Sequence, residues 1–181
     1  MKPQRSLKAR ALQYLAQREQ SRLELRRKLL PHAQAEEAAV QVAADEGEAG
    51  EVSSRAGALA RVEAVLDWLV AHDYLSQERF VESRVHARAS RFGNLRIRQE
   101  LQQHAVALPA DAAQALKESE LDRAQAVRSR RFPEPPSGAA EQARQMRFLM
   151  GRGFSPEVIR RALRDATSAD ARAAETPADP D

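Results

Sequence analysis

The sequence predicts an all-α protein built of thin helical modules set in a row. Three observations predict it. One nine-residue pattern is written three times, at residues 21–29 (SRLELRRKL), 93–101 (GNLRIRQEL) and 155–163 (SPEVIRRAL), and self-similar segments mark repeat architectures. The chain is 43% hydrophobic but only 4% aromatic, and much of that apolar content is alanine, which favours helix while burying little area. Proline and glycine fall mostly between periodic segments, and no alternating valine or isoleucine run marks a strand.

The elements follow in order. Residues 7–20 read as a first helix, with Leu12 and Leu15 on its inner side. The second runs over 21–30: Ser21 and Glu24 form a capping box, and Pro31 stops it. Residues 31–58, acidic and rich in alanine, offer no substantial apolar face and read as an inserted loop. Residues 59–72 regain periodicity, with Val62, Val65, Leu66, Leu69 and Val70 inward and Trp68 and Tyr74 against neighbouring helices. Ser76 caps a fourth helix with Glu78 in its first turn, and Phe80, Val81 and Val85 face in. Gly93-Asn94 opens the second copy of the repeated helix, over 95–104, and Pro109 opens a short helix through Leu116.

A seventh helix covers 121–131 and ends in Arg128, Arg130 and Arg131. The stretch FPEPPSG, 132–138, is a stiff connector, because its prolines forbid helix. An eighth helix spans 140–150 and carries Met146, Phe148 and Leu149. Gly151-Arg152-Gly153-Phe154 turns the chain into the third copy, where Pro156 suits the first helical position and the helix ends near Ala166. The outline is nine helices in threes. Residues 1–75 form repeat 1 with the insertion at 31–58, residues 76–118 repeat 2, and residues 119–166 repeat 3. Residues 167–181 are expected to be a disordered acidic tail.

Within the three copies, Leu25, Ile97 and Ile159 coincide, as do Leu29, Leu101 and Leu163, two apolar columns four residues apart on one helix face. The next column is Arg26, Arg98 and Arg160. Basic residues precede each copy: Arg18, then Arg88 and Arg91, then Arg152. Arg84, Arg88 and Arg91 also line one helix face. An arginine at a fixed place in a repeated helix points to nucleic acid or to an acidic protein groove, since its planar fork pairs with phosphate and carboxylate alike. The contact candidates are therefore Arg18, Arg22, Arg26, Arg84, Arg88, Arg91, Arg98, Arg152 and Arg160. Arg161 and Lys28 are expected to pair locally, with Glu157 and Glu24.

The formal charge of +3 hides a partition. Residues 31–58 hold six acids against Arg55, and residues 165–181 hold five against Arg172, so the remaining body carries +12. Such a body is drawn to polyanions, and salt weakens the attraction. The absence of cysteine excludes thiolate catalysis, disulfides and cysteine-ligated metals. His32, His72, His86 and His104 have no ligand spacing. Glu63 and Asp67 share a face without a partner for catalysis, and Gly151-x-Gly153 lacks the strand and third glycine of a phosphate cradle. No enzyme, metal or cofactor is expected. No apolar run reaches the roughly 18 residues of a membrane span, and the start lacks a secretory signal, so a cytoplasmic protein is expected.

The stretches LQYLAQREQSRLELRRKL (12–29), WLVAHDYL, RFVESRVHARAS, LRIRQEL and RFLMGRGFSPEVIRRAL (147–163) resemble the RecX regulatory protein family. The resemblance covers most of 7–166, omits 31–58, and rests on the order of these motifs. It implies tandem three-helix repeats forming an elongated curved body. It also implies that the basic body lies on RecA–single-stranded DNA filaments and suppresses recombinase and ATPase activity, with direct DNA contact in some members. The partners expected are the RecA filament and single-stranded DNA, directly or through the filament, and a monomer is expected in the absence of a long apolar stripe. An alternative is a non-specific DNA-binding module that acts by competing for DNA. A third reading is an adaptor for another acidic protein.

Overall fold

The computed structural model describes residues 5–44 and 48–175, with side chains over 5–40 and 55–168. Among the described residues there are nine helices and no strand: α1 (Leu7–Gln17), α2 (Arg22–Ala44), α3 (Glu48–Ala71), α4 (Gln77–Ala89), α5 (Asn94–Gln103), α6 (Ala110–Glu118), α7 (Glu120–Arg131), α8 (Ala139–Gly151) and α9 (Pro156–Glu175). Both columns of the repeated pattern are core. Leu25, Leu29, Ile97, Leu101, Ile159 and Leu163 are each no more than 2% exposed. The chain divides into two compact units, Met1–Ser83 with His104–Val106, and Arg84–Gln103 with Ala107–Asp181.

In the first unit, the capping box forms as its residue types dictate. The Glu24 N–H donates to Ser21 Oγ at 3.1 Å, and the Ser21 N–H donates to Glu24 Oε2 at 3.3 Å. Leu25, Leu29 and Ala33 of α2 pack with Ala58, Val62, Leu66 and Leu69 of α3 and with Leu7 and Ala11 of α1. Ser76 caps α4 by accepting the Arg79 N–H at 3.2 Å. Val70 departs from the expected inward stripe and is exposed.

The expected loop at 31–58 is instead helix. α2 continues through Pro31 to Ala44, and α3 begins at Glu48. Proline removes one helix hydrogen bond and crowds the preceding turn, a cost of about 3 kcal/mol. Pro31 and Arg27 both face solvent, so water can serve the carbonyl that loses its donor. Packing offsets the rest: Ala33 and Ala58 are fully buried. Arg61 pairs with Glu36 and, at 3.1 Å, with Glu37. Two of the acids that suggested a loop, Glu36 and Glu37, thus bind α2 to α3. Residues 45–47 lie outside the described residues. The expected disordered tail is corrected in the same way, because α9 runs on to Glu175. Thr167 and Ser168 return their hydroxyls to the carbonyls of Leu163 and Arg164. Residues 176–181 lie outside the described residues.

In the second unit, Ala124, Val127, Leu149, Phe154, Ile159, Ala162 and Leu163 make a core from α7, α8 and α9. A polar knot ties the start of α5 to it. Glu120, 4% exposed at the head of α7, accepts the Asn94 N–H at 3.0 Å and the Ser155 N–H at 3.3 Å, and takes the Ser155 hydroxyl at 3.2 Å. One carboxylate therefore serves the N-termini of two helices, where free N–H groups and the helix dipole favour negative charge. Arg123 completes the knot. It donates to Asn94 Oδ1 at 2.6 Å and to the carbonyls of Phe92 and Leu116, each at 2.8 Å. Burial holds the Arg123 guanidinium below its usual value, and the Glu120 charge partly offsets that.

Two glycines let the turns before α5 and α9 meet backbone to backbone. Gly93 donates to the Arg152 carbonyl at 2.9 Å, and Leu95 donates to Gly153 O at 3.0 Å. A Cβ on Gly93 would lie 2.3 Å from Gly153 O, and Gly153 has φ +79°. Only glycine meets both conditions without strain.

Glu120→Ala strands one buried and two part-buried donors and is expected to lower unfolding stability by about 3 kcal/mol. Urea titration would read this as a lower midpoint at unchanged slope. An unchanged midpoint would mean that Glu120 does not hold the two helix starts together. A second expectation concerns acid. Hydrogen bonds from Arg26, against burial and helped by Arg22, hold the Glu63 carboxyl below its ordinary value. At Glu24 burial pushes upward, but the hydrogen bonds from Arg18 and Ser21 prevail. A folded-state pKa below the unfolded one contributes stability present above about pH 4.3 and lost as pH falls through the folded value. Glu24→Gln/Glu63→Gln should therefore show a flatter loss of stability below about pH 4.3 than the parent. Parallel pH–stability curves would contradict the assignment.

Candidate basic interaction surface

A guanidinium that no carboxylate already holds meets a partner without first giving up a pair. The structure sorts the nine arginines on that basis. Arg18 makes a two-point pair with Glu24, at 3.0 and 2.9 Å. Arg22 reaches from α2 to Glu63 at 2.6 Å and Asp67 at 2.7 Å on α3, and Arg26 also takes Glu63. Glu63 and Asp67, which share a helix face, are thus the clasp between α2 and α3. In the second unit, Glu100 of α5 accepts Arg84 at 3.3 Å and Arg88 at 2.9 Å from α4. Five of the nine candidates are engaged inside the molecule.

The other four have no carboxylate partner among the described residues. Arg91, Arg98 and Arg160 are exposed. Arg152 lays its guanidinium 4.4 Å from the Phe148 ring centre, and its buried Nε has no acceptor. All four lie in the second unit. They are joined there by Arg96, 4.8 Å from the Phe92 ring, and by Arg130, Arg131 and Arg164, none of which has a carboxylate partner among the described residues. The guanidiniums of Arg91, Arg96, Arg131 and Arg152 lie by rings and that of Arg130 by the Ser90 carbonyl, partners that hold a cation in place without cancelling its charge.

Two concavities collect six of these eight arginines, all but Arg96 and Arg98. Ser90, Arg91, Val127, Arg130, Arg131 and Arg152 line a cleft of about 260 Å³. A more open groove of about 660 Å³ runs between the 136–138 connector and α9 and includes Arg160, Arg164 and Ser168. Arg128, by contrast, is buried and structural, donating to Glu134 O at 3.1 Å and Gln145 Oε1 at 3.3 Å.

Arg130 and Arg131 stood outside the nine candidates. Their signal was present in the chain: no acid lies three or four residues before either, so neither has a partner within α7. The distant acids of Arg22 and Arg26 left no such local mark. Two local pairings also differ from expectation. Lys28 donates to Gln20 Oε1 at 2.9 Å because Arg18 already occupies Glu24. Arg161 makes no ion pair with Glu157. Among the described residues no group of His, Asp and Glu could hold a metal ion. No helix among them is long and apolar enough to cross a membrane.

Known proteins resemble the chain over most of its length. Family models described as the second and third three-helix domains of RecX match residues 76–116 and 118–163. The chain is 49% identical over 167 residues to the regulatory protein RecX of Leptothrix cholodnii, covering 90% of each. It is 46% identical to that of Herbaspirillum seropedicae, covering 91% of this chain and 94% of the relative. With the Neisseria gonorrhoeae protein it shares 31% identity, over 92% and 94%. The crystal structure of RecX from Lactobacillus salivarius has a similar fold, with a TM-score of 0.59 at 16% identity over 90% of this chain and 95% of that one. The all-α architecture of tandem three-helix domains and these relatives agree: the chain belongs to the RecX regulatory protein family.

Proposed function

We propose that this chain binds RecA–single-stranded DNA filaments through the basic face of its second unit and restrains their ATP turnover, and so modulates recombination and DNA repair. One observation carries the choice of face: Arg91, Arg98, Arg152 and Arg160 have no carboxylate partner among the described residues, whereas Arg18, Arg22, Arg26, Arg84 and Arg88 do. The first four are the contacts; Arg84 and Arg88 tie α4 to α5 in the same unit, while Arg18, Arg22 and Arg26 hold the first unit together. Binding suffices for this role, so no catalytic group is needed. The expected setting is the cytoplasm, and the expected state a monomer.

The +12 body favours a second reading, a DNA-binding module that limits recombinase by competing for DNA. Single-stranded-DNA-dependent ATP hydrolysis by RecA separates the two. With DNA in excess, a substoichiometric amount of this chain should inhibit turnover if it acts on the filament. Inhibition confined to limiting DNA would leave the competitor. Arg91→Glu/Arg98→Glu/Arg152→Glu/Arg160→Glu should raise the half-inhibiting concentration by about tenfold or more, while Arg22→Ala should lose stability and keep inhibition. A quadruple variant as potent as the parent would sink the assignment of the face.

A further inference from the structure

The cleft at the end of α7 is arranged for a particular class of ligand. Arg130 and Arg131 come from the last turn of α7, Arg91 from the turn after α4, and Arg152 from the turn between α8 and α9. Three separate elements thus bring four guanidiniums to one hollow of about 260 Å³, with Val127 as its buried apolar floor. No carboxylate lines it. Each arginine is steadied by a neutral group. Arg130 donates to Ser90 O at 3.4 Å, and Arg152 lies over Phe148. Arg91 and Arg131 each sit 5.8 Å from the ring of the following phenylalanine. Such partners fix direction and leave the charge intact. Four like charges in one hollow repel each other, and a bound anion relieves that.

We infer that this cleft is a phosphate-binding site. A guanidinium carries five N–H donors and one charge, so four of them suit an anion with several acceptor oxygens on one compact centre. A peptide offers its carboxylates one to a side chain, and a hollow of this size does not admit several at once. The phosphate comes either from a nucleic-acid backbone or from a free nucleoside polyphosphate, which share the recognised chemistry. The site shares the face proposed above and rests on that reading only for its setting, since it requires no RecA.

The test uses the full chain without RecA. Fluorescence anisotropy of a labelled oligothymidine is titrated across a range of salt, with pyrophosphate and ATP as competitors. Arg130→Gln/Arg131→Gln should weaken binding about tenfold and reduce the slope of log affinity against log salt by roughly 1.4, two single-strand contacts. The control Arg27→Gln/Arg55→Gln removes the same charge from exposed positions of the first unit and should change neither by more than about twofold. Displacement by pyrophosphate or ATP only at millimolar levels, with tight oligothymidine binding, assigns the site to the backbone. Displacement by ATP at micromolar levels assigns it to a free nucleotide. Equal losses in the two variants would mean diffuse attraction to net charge and overturn the site, as would no loss in either. RecA inhibition measured in parallel keeps the two readings apart. A cleft variant that loses inhibition while binding oligothymidine normally overturns the phosphate site and leaves the regulator. A parent that binds phosphate through the cleft and never inhibits does the reverse.

Discussion

The carboxylate of Glu120 is the point on which the second unit is organised. It accepts the free N–H groups at the start of α5 and α9, the second and third copies of one repeated helix, while standing at the head of α7 itself. A buried carboxylate is expensive without hydrogen bonds. Here its partners are the backbone donors that helix geometry leaves over, so neither party is left unsatisfied. Arg123 then fastens Asn94 and the carbonyls at the ends of α4 and α6 to the same centre. The close approach of Gly93 and Gly153, which their missing side chains permit, joins the same two turns.

That constraint places the charges. Arg91 precedes Gly93 by two residues, Arg152 lies beside Gly153, and Arg96 packs against Gly153. The turns held by Glu120 therefore carry two of the cations without a carboxylate partner among the described residues, Arg91 and Arg152. The first unit uses its arginines differently. Glu24, Glu63, Asp67, Glu36 and Glu37 absorb Arg18, Arg22, Arg26 and Arg61 in joining α1, α2 and α3. Exposed pairs of this kind contribute under about 1 kcal/mol each, but they remove the charge from the surface. The same arginine column of the repeat is thus a clasp in the first copy, at Arg26, and without a carboxylate partner among the described residues in the other two, at Arg98 and Arg160.

Much of the fold was legible because it rests on local chemistry. The capping box at Ser21, Pro156 at the start of α9, the cap at Ser76 and the two apolar columns all depend on spacings of four residues or fewer. The hairpin arm of α2 and α3 was not legible. Its stability comes from Ala33 against Ala58 and from Glu36 and Glu37 against Arg61, pairs separated by about 25 residues in the chain. Composition alone reads alanine and glutamate there as solvated. The basic face was half legible for the same reason. Arginine columns are visible in a sequence, but whether Glu63 will neutralise Arg26 is decided by the packing of α2 on α3. That Arg130 and Arg131 share a cleft with Arg91 and Arg152 depends on where α7 packs, which no local spacing states.

The filament should meet the unpaired arginines of the second unit and not the paired ones of the first. Hydrogen–deuterium exchange of the full chain, alone and with RecA assembled on single-stranded DNA, tests this directly. Slowed exchange across residues 91–98, 128–131 and 150–163, with residues 22–33 and 58–69 unchanged, is the expected result. Protection confined to α2 and α3, with the second unit exchanging as it does alone, would contradict it.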